Sequence, residues 1–239
     1  DEAVIIKRSW LDSCIDAHKK LNIDVSGEKV TGYDVADSGD DLNAFVNKHG
    51  ILVTKVHQWK AKEDDLVRSA KIVRNEAIQF GSFVRYDSIG VGAGVGSNIN
   101  EINKIDEKEV VSEAFNSGGA VLNKEQEYEL GVSNKDYFSN VKAQMWKLVA
   151  DRVLITHNAI TKGLPFDESD IISISSECDY IEVLLTELST PRRDYDNAGR
   201  FKVESKKDLA KRGVKSPNLA DAFVMCFAPQ EKKFEFSIY

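Results

Sequence analysis

The chain of 239 residues carries 32 Lys and Arg against 39 Asp and Glu, a formal net charge of −7, with 42% hydrophobic and 30% charged residues. This composition indicates a globular protein with a sizeable core and excludes disordered and fibrous classes. No apolar run approaches the ~20 residues that span a bilayer, and the chain does not open on a signal segment. Its three cysteines, Cys14, Cys178 and Cys226, show neither zinc spacing nor a disulfide framework, which favours a reducing cytoplasm.

The hydrophobic pattern predicts a mixed α/β domain behind a helical lead-in. Helical spacing over 7–21 predicts the lead-in, which we expect to end at residue 26. The next predicted elements are strands at 28–36, 42–48 and 51–59, a helix at 63–80, a strand at 83–87, a short helix after the glycines of 90–96, and a strand at 109–115. A long helical stretch at 134–162, an apolar strand at 181–188, a basic segment at 190–215 and a closing helix from Ser216 complete the chain.

The order of these elements predicts that two aspartates become neighbours. A right-handed crossover through the helix at 63–80 returns the strand at 83–87 parallel to the first strand and beside it. Asp34 and Asp87 then both lie near the carboxyl ends of their strands, where open α/β sheets place ligands. Aspartate is depleted in strands, and either residue alone is typical of a strand-end turn.

The closing helix carries a third aspartate in an apolar setting. Eight of the nine residues at 219–227 are apolar, and the ninth is Asp221. A helix that is apolar all round is buried, and a buried carboxylate must be protonated, meet a cation or bind a metal. We expect Ser216 to cap this helix and Pro217 to open it, with Asp221 in the second turn. A carboxylate that only holds the helix in place is the open alternative.

Three converging carboxylates indicate a divalent-metal site. They repel one another, so the cluster is tolerable when cations neutralise it, and oxygen ligands select hard ions such as Mg²⁺ or Mn²⁺. Two such ions can activate a water and stabilise the departing oxygen of a phosphodiester. The glycine-rich run at 90–96 lacks the lysine of a Walker loop, so we interpret it as a flexible turn where the backbone passes close to the metal site or to DNA phosphates.

A basic segment precedes the third aspartate. Residues 190–215 hold nine basic against four acidic side chains, a net +5, which leaves −12 for the other residues. A basic surface beside an acidic metal pocket suits a polyanion held over cations. The candidate DNA-binding residues are Arg192, Arg193, Arg200, Lys202, Lys206, Lys207, Lys211 and Arg212.

Three stretches, 32–41, 86–95 and 211–222, together resemble the nuclease domain of the large terminase subunit of tailed bacteriophages of the headful-packaging type. The resemblance implies a ribonuclease-H-like (integrase-like) fold, a mixed sheet of five or more strands flanked by helices. It also implies a two-metal endonuclease that cuts concatemeric double-stranded viral DNA during genome packaging, with Asp34, Asp87 and Asp221 as the metal-binding and catalytic triad. Some relatives carry a further acidic or histidine residue one turn before the third aspartate. Asn218 stands there and, with Asp37, is a possible accessory residue.

The resemblance also sets expectations for the wider assembly. We expect residues 1–26 to be the tail of a connection to an N-terminal ATPase motor and 27–239 to be the nuclease domain. The implied partners are double-stranded DNA, the ATPase domain of the same polypeptide, the portal protein and the small terminase subunit, in the cytoplasm of the infected bacterial host. Two rival functions stay open: a strand transferase of the recombinase or transposase kind, and a non-catalytic module that docks DNA on the portal.

Overall fold

A twisted mixed sheet forms the centre of the computed structural model, which describes residues 3–36, 41–60 and 65–229. The strands are β1 (Lys29–Asp34), β2 (Asn43–His49), β3 (Leu52–Trp59), β4 (Phe83–Asp87), β5 (Ser112–Phe115), β6 (Glu127–Glu129), β7 (Val132–Ser133), β8 (Ser173–Ile174), β9 (Arg193–Tyr195) and β10 (Phe201–Val203). Six of them form the main sheet in the order β5-β4-β1-β2-β3-β8, and β6-β7 and β9-β10 are separate hairpins. β1 and β2 pair antiparallel, as do β2 and β3, and β1 pairs parallel with β4, so the predicted return of the fourth strand beside the first is confirmed.

Helices cover both faces of the sheet. They are α1 (Arg8–Cys14), α2 (Ala17–Lys20), α3 (Leu66–Phe80), α4 (Val95–Asp106), α5 (Asn134–Tyr137), α6 (Val141–Lys162), α7 (Ile181–Ser189), α8 (Lys206–Lys211) and α9 (Asn218–Cys226). α3 and α4 pack on one face, and α9, backed by α6 and α7, packs on the other. Among the residues that the structure describes, no helix is both long and apolar enough to cross a membrane.

One predicted element is wrong, because the apolar run at 181–188 forms helix α7 and not a strand. Leu184, Leu185 and Leu188 fall on one helical face and are buried in the main core. A short apolar run fits a buried strand or a buried helix equally well. The strand that completes the main sheet beside β3 is instead the two-residue β8. The lead-in is helical as predicted, and Leu11 and Cys14 of α1 belong to the same core. Its role as a connection to a motor stays a prediction.

Strand alternation decides which side chains face α9. Val30 belongs to the core on the α9 side, whereas Tyr33 belongs to the core under α3 and α4. Because side chains alternate along a strand, Asp34 shares the α9 face with Gly32. On β4, the side chain of Arg85 reaches α9, so Asp87, two residues later, faces the same helix.

Helix α9 lies directly on β1 because position 32 has no side chain. A Cβ at Gly32 would lie 2.3 Å from the carbonyl oxygen of Ala222 and 2.6 Å from the Sγ of Cys226, both closer than atoms can pack. The Cys226 thiol donates to the Val46 carbonyl on β2 at 3.2 Å. The first turn of α9 is thereby placed over the carboxyl end of β1.

Both ends of α9 are fixed by residues from other elements. The expected cap is wrong: the helix begins at Asn218, Asp221 lies in its first turn, and the buried Ser216 hydroxyl has no hydrogen-bond partner in the described residues. Glu187 of α7 accepts the Ala220 N–H at 3.1 Å instead. The free N–H groups at the start of α9 thus find their acceptor on another helix. The local sequence of α9 does not reveal this partner. At the other end, Arg85 donates to the carbonyls of Met225 and Ala228 at 3.0 and 2.5 Å.

Replacing Gly32 with alanine tests the close approach of α9. The added methyl group must push the helix away from β1, and such overpacking costs typically about 1–3 kcal/mol of folding free energy. We expect Gly32→Ala to lower the free energy of unfolding by about that amount in urea titrations. The control is Gly94→Ala, because a Cβ added at Gly94 would meet no atom within 4 Å. Equal stability of the two variants would contradict direct packing at Gly32.

Glu187 gives the stability of the protein a defined pH dependence. Burial raises the pKa of Glu187 to about 7 from an ordinary 4.5, the backbone N–H groups of Leu219 and Ala220 oppose the shift, and Asp221 adds to it. Because the folded-state pKa is the higher one, its stabilising contribution is complete below about pH 4.5 and is lost as pH rises through about 7. Glu187→Gln keeps an acceptor for the Ala220 N–H without the charge. The free energy of unfolding of this variant, relative to that of wild type, should therefore increase between pH 5 and pH 8. Urea denaturation curves of both proteins across this pH interval test the prediction. A difference in free energy of unfolding that does not change with pH would refute it.

Candidate metal centre

Three aspartates from separate elements meet at one edge of the sheet. The parallel pairing of β1 and β4 runs to Tyr33 beside Tyr86, and Asp34 and Asp87 are the next residue of each strand. The contact between Gly32 and Ala222 brings the neighbouring Asp221 over this edge from α9. The carboxylates of Asp87 and Asp221 both influence the pKa of Asp34, in keeping with a single acidic cluster.

Asp34 is the most buried of the three acids. Its exposed fraction is 7%, and its carboxylate accepts no hydrogen bond from any residue that the structure describes. Burial raises the pKa of Asp34 well above the ordinary value, Asp221 and Asp87 raise it further, and the cations of Lys206 and Lys142 lower it. A charged carboxylate is costly to bury, and neighbouring positive charge stabilises it.

The orientation of Asp87 is fixed by two donors. Its Oδ2 accepts the Ser117 hydroxyl at 2.8 Å, and its Oδ1 accepts the Ile89 N–H at 3.1 Å. The glycine-rich run forms a 3₁₀ turn at Gly90–Gly94 that returns against Asp87: a Cβ at Gly92 would lie 1.7 Å from the Asp87 carbonyl oxygen. The backbone therefore passes close to the acidic cluster, as the sequence indicates.

The oxygens of Asp221 are held by two residues of α6 that the sequence analysis does not identify. Lys142 Nζ donates to Oδ2 at 2.7 Å, and Trp146 Nε1 donates to Oδ1 at 3.1 Å. Residues four apart in a helix lie on one face, so α6 presents both donors to one carboxylate. In the sequence, Lys142 is only a lysine in a largely buried helix, which is a weak indication of a functional role. Nothing in the local sequence identifies Asp221 as its partner.

Lys142 is a cation surrounded by acids. Burial alone would lower the pKa of Lys142, but Asp221, Asp34 and Asp87 together raise it above the ordinary value. A narrow cavity between Asp87, Ser117, Lys142 and Asp221 opens at this point. Across 3–36, 41–60 and 65–229, no three acidic, histidine or cysteine side chains are close enough to hold one metal ion as they stand.

The two possible accessory residues have different outcomes. Asn218 is the first residue of α9, lies one turn before Asp221 and is 5% exposed. Its role in the site stays a prediction. Asp37 lies outside the described residues.

The predicted DNA-binding residues lie on the hairpin β9-β10, on α8 and in the loops beside them. Several are paired with acids of the same segment: Arg200 with Asp196, Lys202 with Asp194, Lys211 with Asp208 and Arg212 with Glu204, at 2.7 to 3.0 Å. Lys206 is close enough to the acidic cluster to lower the pKa of Asp34. These pairs use all four acids of the segment, and the net +5 is what remains after them. The DNA-binding roles stay predictions.

Comparison with known proteins gives a clear result for structure only. No protein-family model matches the chain, and no match was found among the curated proteins. Several solved structures do match.

Four of the matching structures are of the large terminase subunit gp2 of bacterial virus Sf6, and two of its nuclease domain are compared below. One has 30% sequence identity, covers 95% of this chain and 99% of that domain, and has a TM-score of 0.87. A point mutant of that domain, solved with manganese and beta-thujaplicinol, has 29% identity, the same coverage and a TM-score of 0.88.

A more distant match supports the fold alone. The large terminase nuclease of thermophilic phage G20c, solved with bound magnesium, has 10% identity, covers 85% of this chain and 84% of that one, and has a TM-score of 0.51. The ribonuclease-H-like fold implied by the resemblance is confirmed. With 30% identity over almost the whole of both chains, this protein belongs to the family of nuclease domains of bacteriophage large terminase subunits.

Proposed function

We propose that this chain is a metal-dependent endonuclease that cuts concatemeric double-stranded viral DNA during genome packaging, with Asp34, Asp87 and Asp221 as its metal-binding and catalytic residues. The single observation that carries the proposal is the buried Asp34 carboxylate, which has no donor among the described residues and lies beside two further acids. Carboxylates gathered in this way repel one another, and bound cations relieve that repulsion.

The donor set fits a hard divalent ion. All three side chains offer carboxylate oxygens, the ligands that Mg²⁺ and Mn²⁺ prefer. Relatives of the same fold have been solved with manganese and with magnesium. We infer that two ions bind, because three carboxylates provide enough charge and enough oxygens to be shared between two cations.

Asp34, Asp87 and Asp221 would hold the ions, which would supply activation of a water and stabilisation of the oxygen that leaves the phosphate. The residues of this chain orient the ligands. Ser117 and the Ile89 N–H hold Asp87, and Trp146 holds one oxygen of Asp221. The burial of Asp34 keeps bulk water from one side of the site.

The remaining partners follow from the family. The substrate is DNA, and we propose that the basic segment 190–215 holds the duplex over the acids. The ATPase domain of the same polypeptide, connected through residues 1–26, the portal protein and the small terminase subunit are its proposed partners, in the cytoplasm of the infected host. A strand-transfer assay with oligonucleotide ends distinguishes the recombinase alternative, and failure to bind any divalent ion would favour the docking module.

Removing one carboxylate at a time tests the triad. We expect Asp34→Asn, Asp87→Asn and Asp221→Asn each to abolish Mn²⁺-dependent nicking and linearisation of plasmid DNA, because each removes a charged oxygen ligand. Circular dichroism verifies that each variant is folded. Glu101→Gln, which alters an exposed acid on α4, is the control and should cut at the wild-type rate. A folded Asp87→Asn protein that also cuts at that rate would show the assignment to be wrong.

The basic segment is tested by salt dependence. Each phosphate contact removed should flatten the plot of log affinity against log salt by about 0.9, because fewer counterions are released. Replacing Arg192, Arg193 and Arg200 with alanine should therefore weaken binding to every sequence, because phosphate contacts do not read bases. The measurement uses metal-free Asp87→Asn protein at several salt concentrations.

The matched control removes three exposed lysines of equal total charge, Lys19, Lys20 and Lys162, from α2 and the end of α6. It should leave the slope close to that of the parent. If the arginine variant and the lysine variant had the same slope as the parent, the duplex would bind along another surface.

A further inference from the structure

Lys142 occupies a place in the acidic cluster that the proposed function does not use. Its ammonium lies 2.7 Å from Asp221 Oδ2, an oxygen that a divalent ion would need. All three aspartates act on its charge, and Lys142 in turn lowers the pKa of Asp34. The ammonium is thus paired with Asp221 and lies close enough to the other two acids for their charges to act on it.

The lysine is held there by the fold. It lies in the first turn of α6, whose Asn140 caps the helix by accepting the Ala143 N–H. Trp146, one turn later, binds the other oxygen of the same carboxylate. Because α6 and α9 both belong to the main core, the backbone of Lys142 cannot move away from Asp221. Exchange of the ammonium for an ion therefore requires the side chain, not the helix, to move.

We propose that Lys142 is a built-in competitor for divalent ions. In the metal-free protein its ammonium offsets one negative charge of the cluster, and an ion that binds Asp221 through Oδ2 must displace it, because two cations at this distance repel each other strongly. This inference rests on the proposed function, since it assumes that Asp221 is a metal ligand. Lys142 is then a positioning residue: it acts through Asp221 and sets how readily the site is loaded.

If a divalent ion replaces the Lys142 ammonium at Asp221, a variant without the lysine charge should differ from wild type in two measurable ways. Removing the lysine charge should strengthen metal binding, because the ion no longer competes with the ammonium and meets a more negative site. It should also destabilise the metal-free protein, in which the carboxylates lose their resident counterion. A merely structural lysine would give the second effect without the first.

The test is calorimetric titration with Mn²⁺ in the absence of DNA. We expect Lys142→Met, which keeps the length of the side chain, to bind Mn²⁺ at least about tenfold more tightly than wild type, since one neighbouring positive charge is removed. Lys142→Arg keeps the charge and should bind within about threefold of wild type. Lys147→Met, which removes a lysine paired with Asp151 on the same helix, should leave the affinity unchanged. Lys142→Gln replaces the methionine variant if that protein does not fold.

Melting temperatures provide a second readout. Metal-free Lys142→Met should melt below wild type, and saturating Mn²⁺ should raise its melting temperature by more than it raises that of wild type, because tighter binding stabilises the native state further. If wild type binds Mn²⁺ and Lys142→Met binds it no more tightly, the competitor role is wrong while the proposed function stands. If neither protein binds Mn²⁺, the proposed function itself fails.

Discussion

The contact between the first turns of α9 and the backbone of β1 is the constraint on which the site depends. With no side chain at Gly32, the Ala222 carbonyl approaches the strand directly, and Asp221 is carried to the carboxyl end of the β1-β4 pair. Arg85 holds the far end of the helix and Glu187 its beginning. Three elements distant in sequence thus converge on one acidic cluster, and none of the acids needs a strained local backbone to reach it.

This geometry concentrates negative charge where the protein interior tolerates it least. Asp34 is buried, and none of the described residues donates to its carboxylate, whereas Asp87 and Asp221 are held by neutral groups and by Lys142. Such a cluster favours any cation that reaches it, whether a bound ion or an ammonium of the chain itself. The same charge that makes the site suitable for divalent ions makes the metal-free state dependent on Lys142.

The sequence predicts those parts of the molecule that rest on local pattern and chain order. The strands around Asp34 and Asp87 follow from alternation and from the crossover, and the burial of Asp221 follows from its apolar neighbours. Lys142, Trp146 and Glu187 could not be found in this way, because each acts across the fold on a residue far away in sequence. Helix α7 was missed for a different reason: Leu184, Leu185 and Leu188 form an apolar run too short for its period to decide between helix and strand.

The central claim is that Asp34, Asp87 and Asp221 bind divalent ions together, and crystals soaked in Mn²⁺ test it most directly. Anomalous scattering distinguishes manganese from the lighter atoms of the protein and solvent. We predict two anomalous peaks, both within ligand distance of the three carboxylates, with the Lys142 side chain turned away from Asp221. Crystals that bind manganese elsewhere, or that show Lys142 still paired with Asp221 and no peak at the acids, would contradict it.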